Sequence, residues 1–334
     1  MSATAAPIEG AGTRPADAIA AWARRNAWML SLLALLVGLL VFTKLIQPRY
    51  GPIPVQGLGT SILPLALAAV AQAVVVISGG IDLSIGSTMA LTSVVAASLM
   101  DGQSDTTGVV VVVGVLGLGL VLGGINGAVV VGTRVPDIVV TLAMSFVWAG
   151  FALLVRSSPG GDAASWLKGL AVGPLGNEWI PRAAVVLLVV VSVIWFPLVR
   201  SRLGLSMYAI GSDRLAAFRS GVPVGRTKFL AYAITGLFAA LGGLSLTAST
   251  GIGTPIPGPY TLLSVAAVVL GGVSLAGGRG GVFGPIVGVV VLQLIQTDMS
   301  FLSLDSNLAL VAQGVILIGV VMVGSVIELR RIRG

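Results

Sequence analysis

Apolar residues run along this chain in unbroken stretches, most of them about 17 to 25 residues long, without the alternation that a two-faced strand would show. A stretch of that length, wound as a helix, crosses a hydrocarbon layer of roughly 30 Å. In lipid the backbone must satisfy its own hydrogen bonds, so continuous runs of this kind imply helices. The predicted spans are Ala27–Ile46, Leu58–Ser78, Ser84–Met100, Thr107–Val130, Ile138–Val155, Pro181–Val199, Phe229–Thr250, Thr261–Leu270, Val282–Thr297 and Asn307–Ile327. The expected fold is therefore all-α: a polytopic membrane protein of about ten transmembrane helices, with an internal repeat and short broken or re-entrant helices. Residues 27–327 form the membrane domain, flanked by polar tails at 1–26 and 328–334. The first apolar run is long and lacks a small-residue cleavage pattern, so the N-terminal segment reads as a retained tail rather than a signal peptide.

Two interruptions of the apolar pattern match each other. Gly79-Gly80-Ile81-Asp82-Leu83-Ser84-Ile85-Gly86 and Gly271-Gly272-Val273-Ser274-Leu275-Ala276-Gly277-Gly278 share the frame Gly-Gly-aliphatic-polar-Leu-small-x-Gly. Repeats broken in this way border the substrate path in many transporters. The span count puts both on the cytoplasmic side, as parallel repeats; inverted repeats would instead make the short eighth span re-entrant. Glycines also recur four apart, at Gly119, Gly123 and Gly127 and at Gly280, Gly284 and Gly288, a spacing that lets a second backbone approach one helix face.

Composition narrows the function. The chain of 334 residues is 56% hydrophobic and 9% charged, against roughly 25% charged in a soluble domain, and its mean hydropathy is +1.05. It contains neither cysteine nor histidine, which excludes disulfides, thiolate chemistry and imidazole ligands or bases. The net charge of +7 reads as topology. With the N-terminus inside, 14 of the 19 basic residues are cytoplasmic, leaving Lys44, Arg49, Arg156, Lys168 and Arg182 outside. Both termini are thus expected on the cytoplasmic side.

The longest cytoplasmic loop, 200–228, holds six basic residues against Asp213 alone. Within it Ser212-Asp213-Arg214-Leu215-Ala216-Ala217-Phe218-Arg219-Ser220-Gly221 reads as a two-turn helix, capped by Ser212 or Asp213 and ended by Gly221. Such a basic amphipathic helix either rests on anionic headgroups or docks a partner through Leu215 and Phe218 beside Arg214 and Arg219.

Four segments resemble the permease subunits of ribose-type ATP-binding-cassette sugar importers: Ser78 to Ser87; Gly123-Gly124-Ile125-Asn126-Gly127 with Val135-Pro136 and Thr141-Leu142; Tyr208-Ala209-Ile210-Gly211-Ser212 through Ser220-Gly221-Val222; and Val269 to Gly280. The resemblance implies a permease that pairs with a second copy or paralogue, receives sugar from a periplasmic or lipid-anchored binding protein, and is driven by a cytoplasmic ATPase that carries the ATP and Mg. It assigns the loop helix, with Gly211, Ser212, Asp213, Arg214, Leu215, Ala217, Phe218, Arg219 and Gly221, to coupling with that ATPase. The chain has no Gly-x-x-x-x-Gly-Lys-Ser/Thr loop of its own, no cofactor or metal is expected on it, and it is not itself an enzyme. Asp137, after the proline before the fifth span, departs from the family pattern, as does the glycine-rich segment Ser157–Gly176; both were expected to bear on the choice of sugar or partner.

Sugars need neutral donors and acceptors, and the apolar spans supply Gln72, Ser84, Ser87, Thr88, Asn126, Thr141, Ser145, Gln293 and Gln313. Many of these would serve only as glue between helices. The residues expected near the path are Asp82, Ser84, Thr88, Asn126, Thr141, Ser274 and Gln293. Asp82 has two readings, a functional intramembrane acid or a cap for the helix that starts near Ser84. The rival functions are an importer of nucleosides or branched-chain amino acids, and an ion-coupled secondary transporter, which would need intramembrane acids or histidines beyond Asp82. A membrane enzyme would need clustered chemistry that the spans lack.

Overall fold

The computed structural model describes residues 27–256 and 258–303, with scattered positions between 308 and 322. Both tails, Gln313 and most of the tenth predicted span lie outside the described residues. The helices are α1 (Ala27–Ile46), α2 (Pro52–Ile77), α3 (Ile85–Met100), α4 (Asp105–Thr133), α5 (Asp137–Val155), α6 (Ser165–Ala171), α7 (Arg182–Arg200), α8 (Arg202–Ser212), α9 (Arg214–Arg219), α10 (Val224–Thr250), α11 (Tyr260–Leu270) and α12 (Phe283–Phe301). A small antiparallel hairpin, β1 (Pro174–Leu175) and β2 (Asn177–Pro181), precedes α7. Seven helices, α1, α2, α4, α5, α7, α10 and α12, are long and apolar enough to cross a membrane, and α3 and α11 are shorter apolar helices. The chain is a polytopic helical membrane protein.

Local chemistry sets where these helices begin and end. Pro52 sits in the first turn of α2, where its missing N–H costs nothing, and α2 starts six residues before the apolar run suggests. Ser104 caps α4 by accepting the Thr107 N–H. α10 starts at Val224, five residues ahead of its predicted span, because the polar Arg226, Thr227 and Lys228 of its first turns interrupt the apolar pattern without ending the helix.

The interior is built around α2 and α10. Every residue of α2 from Ile62 to Ile77 is buried. α10 lies against α4 along the predicted glycine rail: a Cβ at Gly119 would meet Gly236 O at 2.6 Å, and one at Gly127 would meet Phe229 Cα at 3.0 Å. Here the glycines bring two backbones together, which is the packing use of the motif. The second rail is only partly a rail. Gly284 and Gly288 pack on the backbones of Gly271 and Ala267 in α11, but Gly280 lies outside the helix at φ +110°, so the four-residue spacing there joins a loop glycine to two helical ones.

The two Gly-Gly motifs end their helices in the same way, one residue out of the predicted frame. Gly80 N–H reaches Val75 O at 3.0 Å with Gly79 at φ +72°, while Val273 N–H reaches Val268 O at 3.1 Å with Gly272 at φ +77°. Gly79 therefore corresponds to Gly272, not Gly271: the positive-φ residue of the cap sets the alignment. Beyond the caps the likeness ends, because α3 begins after seven residues and α12 only after twelve. Both helices finish at the same end of the bundle, where Gly278 N–H donates to Ile77 O at 3.0 Å.

The eighth predicted span is a broken one. At 11 residues, α11 is about 16 Å long by helical rise, half of what a crossing needs. It is preceded by irregular chain that pairs Gly253 with Gly160 and packs Gly253 on Val94 and Ala97 of α3. By Thr261 the chain has reached the start of α3, where the hydroxyl accepts the Gly86 N–H at 2.9 Å. The glycine-rich segment 157–176 folds over the far end of the bundle. There Ser165 N–H and Trp166 Nε1–H donate to Asp105, and Thr60 donates to Ala171 O. Lys168 bonds Asp162 at 3.0 Å, and that bond holds the Asp162 carboxyl below its ordinary range.

Candidate functional site

Five of the predicted path residues form a buried knot at the start of α3. Asp82 Oδ1 accepts from the Ser84 N–H at 2.8 Å and from the Ser84 hydroxyl at 2.7 Å; Asn126 Nδ2 donates to Ser84 Oγ at 2.7 Å; and Trp148 Nε1 donates to Asn126 Oδ1 at 3.1 Å. Thr141 accepts the Leu83 N–H at 3.0 Å, and Thr88 is buried one turn into α3. Asp82 does not cap α3: it accepts the N–H and hydroxyl of Ser84, the residue that precedes the helix, in a turn that leads into it, and the cap position makes no side-chain bond to the helix. None of these five lines the cavity described next. Ser274 lies in the turn after α11, closing it with its N–H on Arg279 O.

Of the predicted path residues, Gln293 alone borders a cavity of about 570 Å³. It lies between α2, α10, α11 and α12 and is lined by Thr60, Ser61, Ser249, Thr250, Tyr260, Gln293, Gln296, Thr297 and Ser300 among apolar neighbours, with no charged side chain among the described residues. The bundle builds it from helix faces: Gln293, Gln296, Thr297 and Ser300 recur at three- and four-residue spacing on one side of α12. Sequence reasoning missed all but the first of these, although that polar stripe in an apolar helix was a usable signal. Pro64 of α2 and Pro259 ahead of α11 also border the space, and the irregular chain there is tolerated because it lines a cavity.

At the opposite end the predicted coupling helix is α9, shorter than expected at each side. Asp213 is its cap, accepting the N–H groups of Leu215 and Ala216 at 2.8 and 2.9 Å. Gly221 ends the turn after it at φ +82°. Ser212 does not cap α9; it is the last residue of α8, a helix that the loop's polarity concealed. Leu215 and Phe218 are 57% and 67% exposed, with Arg214 and Arg219 beside them, and Ala217 faces inward. Gly211, at the end of α8, fits against Ile77 O and the Gly278 backbone, and Gly277 lies on Gly211 and Gly79. The coupling segment thus touches the Gly79 cap and the loop glycines of the second motif, Gly277 and Gly278. Tyr208 reinforces this by donating to Gly280 O at 2.7 Å, and burial raises its hydroxyl above the ordinary value, which keeps it a donor.

Asp137 lies beside the same junction. Its Oδ2 accepts from Lys228 Nζ at 2.7 Å and from the Tyr232 hydroxyl at 2.9 Å, tying α5 to α10. The residue that breaks the family pattern is one half of a mostly buried ion pair. Its charge is thus matched inside the chain.

Comparison with known proteins agrees with this architecture. The family described as branched-chain amino acid transport system / permease component matches residues 54–324. The ribose import permease protein of Escherichia coli (strain K12) is 32% identical over 312 residues, covering 89% of this chain and 94% of that protein. A probable ABC transporter permease protein of Sinorhizobium fredii (strain NBRC 101917 / NGR234) is 36% identical over 73% of this chain and 72% of its own length. The autoinducer 2 import system permease protein of Escherichia coli O9:H4 (strain HS) is 29% identical over 92% and 94%. No solved structure matches. With the family covering most of the membrane domain and these relatives 73 to 92% of the chain, this protein belongs to the branched-chain amino acid transport system / permease component family and is a multi-pass permease of the ATP-binding-cassette importer class.

Proposed function

We propose that this permease carries a monosaccharide, whether a ribose-like pentose, a hexose or a related polyol, into the cytoplasm by alternating access. The observation that carries the reading is the cavity lined by hydroxyls and amides without a single charged side chain among the described residues. Each sugar hydroxyl both donates and accepts, and Ser, Thr, Tyr and Gln side chains answer both needs without fixed charge. Relatives named for the import of ribose and of autoinducer 2 support it.

The driving ATPase is a separate cytoplasmic polypeptide that binds the ATP and Mg, and α9 is its docking element. Exposed Leu215 and Phe218 flanked by two arginines suit an apolar groove with an acidic rim. Displacing α9 would move Gly211 and, through it, the cap at Gly79 and the loop at Gly277 together. Cargo arrives from a periplasmic or lipid-anchored binding protein, and a second copy or a paralogue completes the passage. The α9 end belongs in the cytoplasm of a bacterial inner membrane. Among the described residues its connections and helix ends carry eight basic residues against three acids, whereas the far end carries five of each.

One observation favours a second reading. α11 begins at the cavity, with Pro259 and Tyr260 on its wall, and a half-helix start of this kind can hold a carboxylate, as an amino-acid importer of the wider family would require. Uptake into proteoliposomes that hold the permease, its ATPase and its binding protein separates the two. ATP-dependent accumulation of labelled pentose or hexose with no accumulation of leucine is expected. Leucine uptake without sugar uptake refutes the sugar reading.

A further inference from the structure

Gln72 stands near the middle of α2, fully buried, and neither its amide oxygen nor its amide nitrogen has a hydrogen-bond partner among the described residues. An amide removed from water and left unpaired is costly in any apolar interior, and nearly every buried polar group is paired. Its flanking residues are Ala71 and Ala73, so nothing in the local sequence requires an amide there. A leucine of similar length would fill the same space without the cost.

Its place on α2 gives the amide a purpose. Ser61 and Leu65 line the polar cavity. At 3.6 residues per turn, a residue seven or eleven positions further lies within about 20° of the same helix face. Position 72 is both, seven after Leu65 and eleven after Ser61, and about 10 Å deeper along the axis. The face of α2 that borders the cavity therefore continues down to Gln72. Below the cavity floor the neighbouring helices are shut by close backbone contact: a Cβ at Gly288 would stand 2.8 Å from Ala267 O, and Gly284 abuts Gly271. Contacts between glycine backbones of this kind can part without freeing interlocked side chains.

We infer that Gln72 is a cargo-binding residue of the inner half of the passage, closed in this conformation, whose amide takes up a hydroxyl of the cargo when the contact between α11 and α12 opens. This rests on the sugar-import reading for the chemistry of the ligand, though not for the location of the path. The amide offers one acceptor and two donor hydrogens, the complement of a vicinal diol.

The chain has no cysteine, so Gln72→Cys introduces its only thiol, and Ser61→Cys on the cavity wall is the matched control. Each is exposed to a small charged methanethiosulfonate reagent in proteoliposomes of the complete transporter. Ser61→Cys should react with or without ATP. Gln72→Cys should react at least tenfold faster during ATP hydrolysis than at rest, and transported sugar should slow it. A thiol at position 72 that reacts no faster while ATP is being hydrolysed overturns the inference. If labelling rises with ATP but leucine rather than sugar protects, the position of the path stands and the sugar reading fails. A second variant guards against misfolding: Gln72→Leu should fold at least as well as wild type, keep ATP hydrolysis, and lose tenfold or more of uptake, with part restored in Gln72→Asn. Wild-type uptake by a well-folded Gln72→Leu also overturns it.

Discussion

The Asp137–Lys228 pair offers the sharpest test of how this bundle is held together. Lys228→Met removes the ammonium but keeps most of the side-chain length, leaving Asp137 with the Tyr232 hydroxyl as its remaining side-chain donor. The side chains are 7% and 18% exposed for Lys228 and Asp137, so water replaces the lost partner only in part. Breaking a fully buried pair from one side costs about 3 to 5 kcal/mol. With the tyrosine bond retained and some solvent at Asp137, the lower limit of about 3 kcal/mol applies, a loss of roughly 150-fold in the folded ratio. At roughly 2 °C per kcal/mol for a chain of this size, the unfolding temperature should fall by about 6 °C. Asp137→Asn should cost less, since it leaves a lysine able to turn toward the nearby end of the bundle. The double variant Asp137→Asn/Lys228→Met should recover much of the loss, because the buried charge has gone. Thermal unfolding of the purified permease in detergent, followed by tryptophan fluorescence, reads all four corners of the cycle. The reasoning is refuted if Lys228→Met unfolds at the wild-type temperature, or if the two single losses simply add in the double variant. Gly80→Ala should disturb the same pair, since a methyl there would lie 2.6 Å from Asp137 Oδ2 and 2.9 Å from the Tyr232 hydroxyl.

Three further outcomes are expected. Asp82→Asn keeps an oxygen able to accept from Ser84 and should retain most uptake, whereas Asp82→Ala should lose about 1 to 3 kcal/mol by leaving the buried Ser84 donors without their acceptor; loss of uptake in a well-folded, ATPase-associated Asp82→Asn would show that the charge itself matters. Asp298 is buried with neither carboxylate oxygen in bonding geometry, its neighbour Thr43 donating instead to Leu39 O; Asp298→Asn should therefore raise the unfolding temperature, and a fall would point to a required anion. Arg214→Glu with Arg219→Glu should abolish copurification of the ATPase and uptake while leaving the permease folded; unaltered uptake removes α9 as the docking element.

What the sequence determined by itself is whatever depends on near neighbours along the chain. Apolar runs reveal helices because lipid demands a full crossing of apolar side chains and a helix closes its hydrogen bonds within itself. Asp213 and Gly221 were legible as the ends of α9 for the same reason, since a cap is a bond across two or three residues. The glycine rail on α4 was readable as a contact face, but not that Gly236 of α10 would meet it. Only the tertiary structure decided matters of depth and rotation: that Asp82, Ser84, Asn126 and Trp148 knot together, that Asp137 finds Lys228 91 positions away, and that polar residues from four helices border one cavity while Gln72 is left unpaired. No local pattern encodes these, because they depend on how helices that are each stable alone turn and slide against one another. In lipid that choice is made by close packing and the pairing of scarce polar groups, not by the apolar runs that made the helices visible.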